Sequence, residues 1–282
     1  MITVIIPTTG RPELQRAIDS VNAQTYKDFE LLVEHDTQRV GKSIMVNNAV
    51  KKAKGEYVVV LDDDNELHPK FFELTLKTIQ QESAKEKLFD NAPYHAVNTG
   101  RWVIHSGYKD YAPAYVQMGL GFAAIDWGWL IGKEVFDKIQ YDESLFGDED
   151  ADFGIQFYKH FRAYGLNIPL QTAYAYSNDG VSLPTEKRLI SLERFIEKNK
   201  QDYIDAGPKD ISFLYRFAGR NYYLAGHKRK AIGWFWKCFK AWKTRRTLTH
   251  FLVSLISYKA YYILMRLEEK YYSRQRIKNY GL

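Results

Sequence analysis

Three adjacent carboxylates, Asp62-Asp63-Asp64, follow directly on the apolar run Tyr57 to Leu61. Carboxylates this close repel one another, and a strand end is expected to offer no positive charge of its own. A hard divalent cation, Mg2+ or Mn2+, is then the natural compensation. A solvated acidic turn is the plainer use of such a triplet, but ligands of open α/β sheets bind outside the carboxyl ends of the strands, which favours the ion. An EF-hand calcium loop is excluded, because the sixth position counted from Asp62 is Leu67, where that loop needs glycine. A phosphatase of the Asp-x-Asp type fits less well, since its nucleophile follows the first strand. A second acidic group is Gly147-Asp148-Glu149-Asp150-Ala151-Asp152-Phe153. It reads as a helix start, where the helix dipole stabilises carboxylates whether or not they handle a proton.

These groups need a scaffold, and the first third of the chain alternates strand and helix as an open, largely parallel sheet requires. Ile2 to Pro7 is a β-branched strand; Leu14, Ile18 and Val21 fall on one helix face; Phe29 to Val33 begins a second strand. Ser43 to Lys54 reads as a helix ended by Gly55, which is expected in the left-handed C′ conformation. Tyr57 to Leu61 is the third strand, and Pro69 opens the first turn of a helix reaching Gln81. Residues 85–125 show no sustained period and read as short strands and loops. Trp127 to Ile131 and Leu170 to Tyr176 read as strands, with Phe153, Phe157 and Phe161 recurring at helical spacing between them. Beyond Thr185 the pattern is helical, broken near Gly207-Pro208, Gly226 and Thr244 to Thr247.

Charge divides the chain unevenly. Residues 1–215 carry 24 Lys and Arg against 32 Asp and Glu, a net −8, whereas residues 216–282 carry 16 against 2, a net +14. One cysteine, Cys238, excludes an intramolecular disulfide framework and a cysteine-built zinc site. Val4 to Ile6 is too short for a secretory apolar region, so cytoplasmic residence is the expectation. In the basic segment Phe235, Trp236, Phe239 and Trp242 are read as sharing one helical side, with Lys230, Lys237 and Lys240 on another. Such a helix can lie at a membrane interface near anionic lipid or can simply pack on the catalytic domain. Nucleic-acid binding is not expected, since no fold motif for it accompanies the charge. The span Leu248 to Met265 is interrupted by His250 and Lys259 and does not read as transmembrane.

The N-terminal quarter resembles the family 2 inverting glycosyltransferases of bacterial polysaccharide type, which have the GT-A fold. The matching text is Val4-Ile5-Ile6-Pro7-Thr8 with Arg11, Ala17-Ile18-Asp19-Ser20-Val21, Gln24-Thr25-Tyr26, Asp28-Phe29-Glu30 and Ala53-x-Gly55-Glu56-Tyr57. Asp62-Asp63-Asp64 stands at the metal-binding DxD position. The resemblance implies an α/β, Rossmann-like GT-A domain with a mostly parallel central sheet; the charge division sets its extent at 1–215 and leaves a basic, aromatic-rich helical extension over 216–282. It implies that Pro7, Thr8, Thr9 and Arg11 line a nucleotide pocket and that Asp36 accepts a hydrogen bond from the base, usually uracil. Lys42, Asn47, Asp62, Asp63 near the ribose, and Glu149 complete the nucleotide-sugar contacts; Asp64 is the metal ligand for Mn2+ or Mg2+. Asp150 aligns with the general base, preceded by the family-like Tyr141-Asp142-Glu143-Ser144-Leu145-Phe146.

The implied reaction moves a sugar from a nucleotide-diphosphate sugar to a saccharide or lipid-linked saccharide hydroxyl in cell-surface polysaccharide assembly, at the inner face of the cell membrane. Three positions depart from the family pattern. Val46 replaces a common arginine, Gln156 a common basic residue, and Tyr174 to Gly180 lacks the histidine that completes many metal sites, leaving Asn178 or Asp179 as substitutes. They make a non-catalytic nucleotide-sugar or membrane-binding module the alternative reading. A nucleotidyltransferase is disfavoured, because Thr8-Thr9-Gly10-Arg11 is not a glycine-rich phosphate loop.

Overall fold

The computed structural model describes residues 1–88, 91–114, 125, 128–175 and 185–280, the side chains of 269, 270 and 272–280 excepted. The chain forms two compact units: Met1–Gln117, Phe122–Glu143 and Glu149–Ser177 make the first, and Met118–Gly121, Ser144–Asp148 and Asn178–Leu282 the second.

In the first unit, β1 (Ile2–Thr8) lies between β2 (Phe29–His35) and β3 (Tyr57–Val60), all parallel, with α1 (Leu14–Asn22) and α2 (Lys42–Lys52) as crossovers. Next come β4 (Glu66–Leu67), α3 (Phe71–Lys87), β5 (Ala96–His105), β6 (Tyr108–Ala112), β7 (Leu130–Gly132), α4 (Val135–Lys138), α5 (Glu149–His160) and β8 (Ala163–Tyr174). The sheet order is β2-β1-β3-β7-β5-β8-β4, with β6 paired to β5. β5 and β8 are parallel, but the β3–β7, β5–β7, β4–β8 and β5–β6 pairs are antiparallel, so the sheet is mixed rather than mostly parallel.

Alternation along the central strands explains why both faces are covered. Ile5, Val58 and Val60 enter an apolar cluster with Val46, Phe153 and Phe157 of α2 and α5. The residues between and beside them, Val4, Ile6, Val59 and Leu61, enter the opposite cluster, with Ala17, Val21, Phe71 and Phe72 of α1 and α3. The sheet is thus buried between two helical layers, and its carboxyl edge is left to loops.

Gly55 is not in the left-handed conformation expected of it, since it is absent from the positive-φ glycines of the chain. Its need is steric: a Cβ there would lie 2.5 Å from Thr3 N, against the start of β1. Residues 85–125 hold more regular structure than their sequence shows. α3 continues to Lys87, and the ten-residue β5 turns at Gly107 (φ +92°) into β6. Pro69 precedes α3 instead of lying in its first turn. Trp127 lies outside the described residues, and β7 begins at Leu130.

The second unit is helical, with α6 (Glu186–Ala206), α7 (Pro208–Leu224), α8 (Lys228–Ala241), α9 (Arg245–Ile256) and α10 (Tyr258–Tyr280). Thr185 caps α6 by accepting from Arg188 N, and Thr244 forms a capping box with Thr247 at the start of α9. The sign change in charge at Arg216 falls inside α7, because solvated charge and chain packing obey different constraints. The aromatic residues of α8 do not share one side. Phe235 is wholly buried against Tyr223 and Tyr261, while Trp236, one ~100° helical step on, is exposed; Trp242 is exposed as well, but it lies past the end of α8 in extended backbone. No helix among the described residues is long and apolar enough to cross a membrane.

α9 and α10 are tied by Glu268, which receives Arg246 Nε at 3.0 Å and lies 3.1 Å from His250 Nε2. Burial alone would raise the Glu268 carboxyl, but His250 and Arg246 outweigh it and hold the pKa at about 2, from an ordinary 4.5. A depressed carboxylate stabilises the fold above its unfolded pKa and loses that contribution as pH falls toward its folded one. Glu268→Gln is therefore expected to lower Tm at neutral pH, with the difference from wild type shrinking between about pH 4.5 and 2; thermal melts across that range check it.

Candidate active site

The carboxyl ends of β1 and β3 bring Thr8 and the Asp62–Asp64 turn together. Thr8 Oγ1 donates to Asp63 Oδ2 at 2.6 Å and accepts from Gly10 N at 2.9 Å, so the loop after β1 is pinned to the acidic turn. Arg11 NH1 is 2.8 Å from Asp64 Oδ2 and 3.7 Å from Asp63 Oδ1. Arg16 NH2 donates to the Asp64 carbonyl at 2.7 Å, and its guanidinium lies 3.8 Å over the Tyr174 ring. Lys42 Nζ reaches Asp62 Oδ1 at 3.0 Å. The expectation that the strand end lacks positive charge is thereby corrected: three cations arrive from α1, α2 and the loop between β1 and α1, none of them near the triplet in sequence.

Two of the turn's carboxyls are nonetheless raised. Burial first, and then Asp62, raise the Asp64 carboxyl above its usual range despite Arg11. Asp63 is raised first by burial, against the opposing effects of Thr8 and Arg11. The three side chains diverge to Lys42, Thr8 and Arg11, and no cluster of three or more His, Cys, Asp or Glu suited to a metal occurs among the described residues. What remains is a partly exposed Asp64, paired with Arg11 and with its carboxyl raised by burial and Asp62. That fits a hard ion held by one carboxylate, substrate phosphate and water, the mode Mg2+ favours, better than a protein-built cage. Asn178 and Asp179 lie outside the described residues.

Asp150, in the first turn of α5, joins this turn through Lys42. The ammonium is 3.3 Å from Asp150 Oδ1 and 3.0 Å from Asp62 Oδ1. Burial would lower the Lys42 pKa, but Asp150 and Asp62 together push it well above its ordinary value, so it stays charged. Val46, at the family's arginine position, is fully buried in the apolar cluster beneath α5. Lys42, one turn earlier on α2, supplies a cation there instead.

Other predicted residues have structural partners. Asp36 accepts from Val40 N at 2.7 Å and Gly41 N at 2.8 Å, shaping the turn into α2, where Gly41 has φ +103°. A carboxylate has acceptor capacity beyond two N–H groups, so a base can still be bound. Asn47 is buried and reaches across the chain to Tyr141, donating to the Tyr141 carbonyl at 2.9 Å and accepting from the Tyr141 N–H at 3.1 Å; it also donates to Glu143 Oε1 at 3.0 Å. This makes Asn47 a clamp on the segment before α5. Pro7 is buried in β1, Thr9 is exposed, and Glu149 is buried in the first turn of α5.

Sequence reasoning missed Arg16 and Arg188, and read Tyr141 only as the head of a family-like segment. The Tyr141 hydroxyl is buried without a hydrogen-bond partner, and burial followed by Asp150 pushes its pKa well up. Arg188 is held within the second unit, 3.1 Å from Asp148 Oδ1 and donating to Gly147 O at 2.7 Å, which fixes the two residues that precede Glu149 in the chain. Nothing local marks Arg188, because its partners lie about forty positions away, and nothing local marks Arg16, whose partners Asp64 and Tyr174 are distant in sequence.

The model of Glycosyl transferase family 2 matches residues 32–139. An uncharacterised glycosyltransferase of Haemophilus influenzae is 25% identical over 95% of this chain and 99% of its own length. Another, from Methanocaldococcus jannaschii, is 23% identical over 55% of this chain, and the match spans only 64% of that relative. Among solved structures, S. aureus TarS matches with TM-score 0.56 at 15% identity, over 87% of this chain and half (50%) of TarS. The mannosyltransferase PcManGT of Pyrobaculum calidifontis matches with TM-score 0.52 at 14% identity, over 88% of this chain and 77% of its own. At such identities the structural matches show the fold. Together with the family match over residues 32–139 and the order of motifs along the first unit, they support a glycosyltransferase of the GT-A fold similar to family 2.

Proposed function

We propose that the protein is an inverting, metal-dependent hexosyltransferase. It would take a sugar from a nucleotide-diphosphate donor, most simply a UDP-sugar, to a hydroxyl of a saccharide or lipid-linked saccharide in cell-surface polysaccharide assembly. One observation carries this reading: Lys42 bonds both a carboxylate of the Asp62–Asp64 turn and Asp150, which lies 108 positions after Lys42 in sequence, at the edge of the sheet where ligands bind. Support for the donor class comes from TarS, solved in complex with UDP-GlcNAc, and PcManGT, solved with GDP-Man and Mn2+.

Inversion is a single in-line displacement at the anomeric carbon. Asp150 would take the proton of the attacking hydroxyl, with the Lys42 ammonium 3.3 Å from its carboxylate and bonded also to Asp62 on the donor side. Thr8, Asp63 and Arg11 fix the donor-side turn, with Asp36 beside it for the base. Asp64 would hold Mn2+ or Mg2+, which supplies Lewis-acid relief of the charge growing on the leaving diphosphate. A lipid-linked acceptor would bring the protein to the inner face of the membrane.

A panel of nucleotide sugars, assayed for nucleoside diphosphate release with and without Mn2+, tests the reading. Metal-dependent release that rises with a saccharide or lipid-linked acceptor is expected. Donor binding with no release would instead make the protein a non-catalytic module.

A further inference from the structure

α9 carries its polar face inward. Thr247, His250 and Ser254 are its buried residues, whereas Leu248, Leu252 and Leu255 face out, 37%, 48% and 46% exposed. The inward polar groups are satisfied: Thr247 Oγ1 donates to Trp242 O at 2.7 Å, Ser254 Oγ to Phe251 O at 2.6 Å, and His250 Nδ1 lies 3.2 Å from the Tyr261 hydroxyl. The inversion is thus built into the packing. On α10, which packs on α9, Tyr261 is buried while Ile263, Leu267 and Tyr271, spaced i, i+4, i+8, are exposed. Scattered exposed apolar residues need no explanation, but matching stripes on two consecutive helices mark an interaction surface.

Exposed cations accompany the stripes: Lys243, Arg245, Lys259 and Arg266. Glu268, one of only two acidic residues between 216 and 282, is turned inward to Arg246 and His250. We propose that the outward faces of α9 and α10 dock into the interface of an anionic lipid bilayer, with the leucine and isoleucine stripes at the acyl boundary and the flanking Lys and Arg at the headgroups. A second copy of this chain is a poorer occupant, because it would set two segments of net +14 against each other. The docking deepens the lipid-linked acceptor of the proposed function, but it rests on the helix faces and does not require turnover. Lipid binding and diphosphate release are separate readouts, so either can fail alone.

The experiment is flotation of the full chain with vesicles of phosphatidylcholine alone or containing phosphatidylglycerol. Flotation with the anionic vesicles, reversed by high salt, is expected. Leu252→Glu combined with Ile263→Glu should reduce the floated fraction about tenfold or more, with circular dichroism confirming the fold. Should that variant unfold, Lys259→Glu with Arg266→Glu, which changes only exposed charges, should still remove the salt-sensitive part. Wild-type protein that stays at the bottom of the gradient overturns the proposal and leaves the stripes to an acidic protein. Equal flotation with neutral vesicles, flotation unchanged in a folded variant, or a dimer in sedimentation velocity that the glutamates dissociate also overturns it.

Discussion

Asp150→Asn is expected to lower transfer by about a hundred- to ten-thousand-fold while leaving nucleotide-sugar affinity within about twofold. The amide keeps the shape and can still contact neighbouring groups, but it cannot accept the acceptor's proton. Asp150 reaches the donor-side turn through Lys42, whose bond to Asp62 at 3.0 Å does not involve the substituted group. Equilibrium binding and single-turnover transfer with one donor separate the two effects. Near-normal turnover would remove Asp150 from the mechanism. Lys42→Met provides a second arm. Without an ammonium 3.3 Å away, a carboxylate holds its proton more tightly, so the acidic limb of the pH–rate profile should move to higher pH. A purely structural Lys42 would lower rates without shifting that limb.

Much of this architecture was legible because periodicity and burial coincide in the first unit. β1 and β3 are covered on both faces, so they read as continuous apolar runs, and the helix breaks at Gly207-Pro208 and Gly226 are local chemistry. β5 was not legible: β6 pairs only its second half, its other partners β7 and β8 are distant in sequence, and a register shift at Thr99–Arg101 spoils its alternation. The site divides in the same way. Asp62–Asp64 and Asp150 stand out as contiguous acidic text, whereas the cations that organise them come from residues whose local context is ordinary. The inverted faces of α9 were invisible too, since nothing in a helical repeat states which side its neighbours cover.

Asp64→Ala is expected to reduce kcat/KM by about a hundred- to a thousandfold and, unlike Asp150→Asn, to weaken donor binding and abolish its response to Mn2+. Burial and the charge of Asp62 disfavour ionised Asp64 in the folded protein, so a cation at this carboxylate relieves an existing strain. The sign follows from linkage: a raised carboxyl makes the fold gain stability as pH falls through the raised value, and the ionised form weakens the fold above it. Asp64→Asn should therefore melt no lower than wild type in the absence of metal, even though it forfeits the 2.8 Å pairing of Arg11 with a charged partner. Mn2+ with a nucleoside diphosphate should raise the wild-type Tm at neutral pH and leave that of Asp64→Asn unchanged. Calorimetry of the diphosphate with and without Mn2+, run on both proteins, reads the same coupling as affinity. Full activity of wild type in excess EDTA would show that Arg11 and Lys42 suffice for the leaving group, and Asp64 would then be only their anchor.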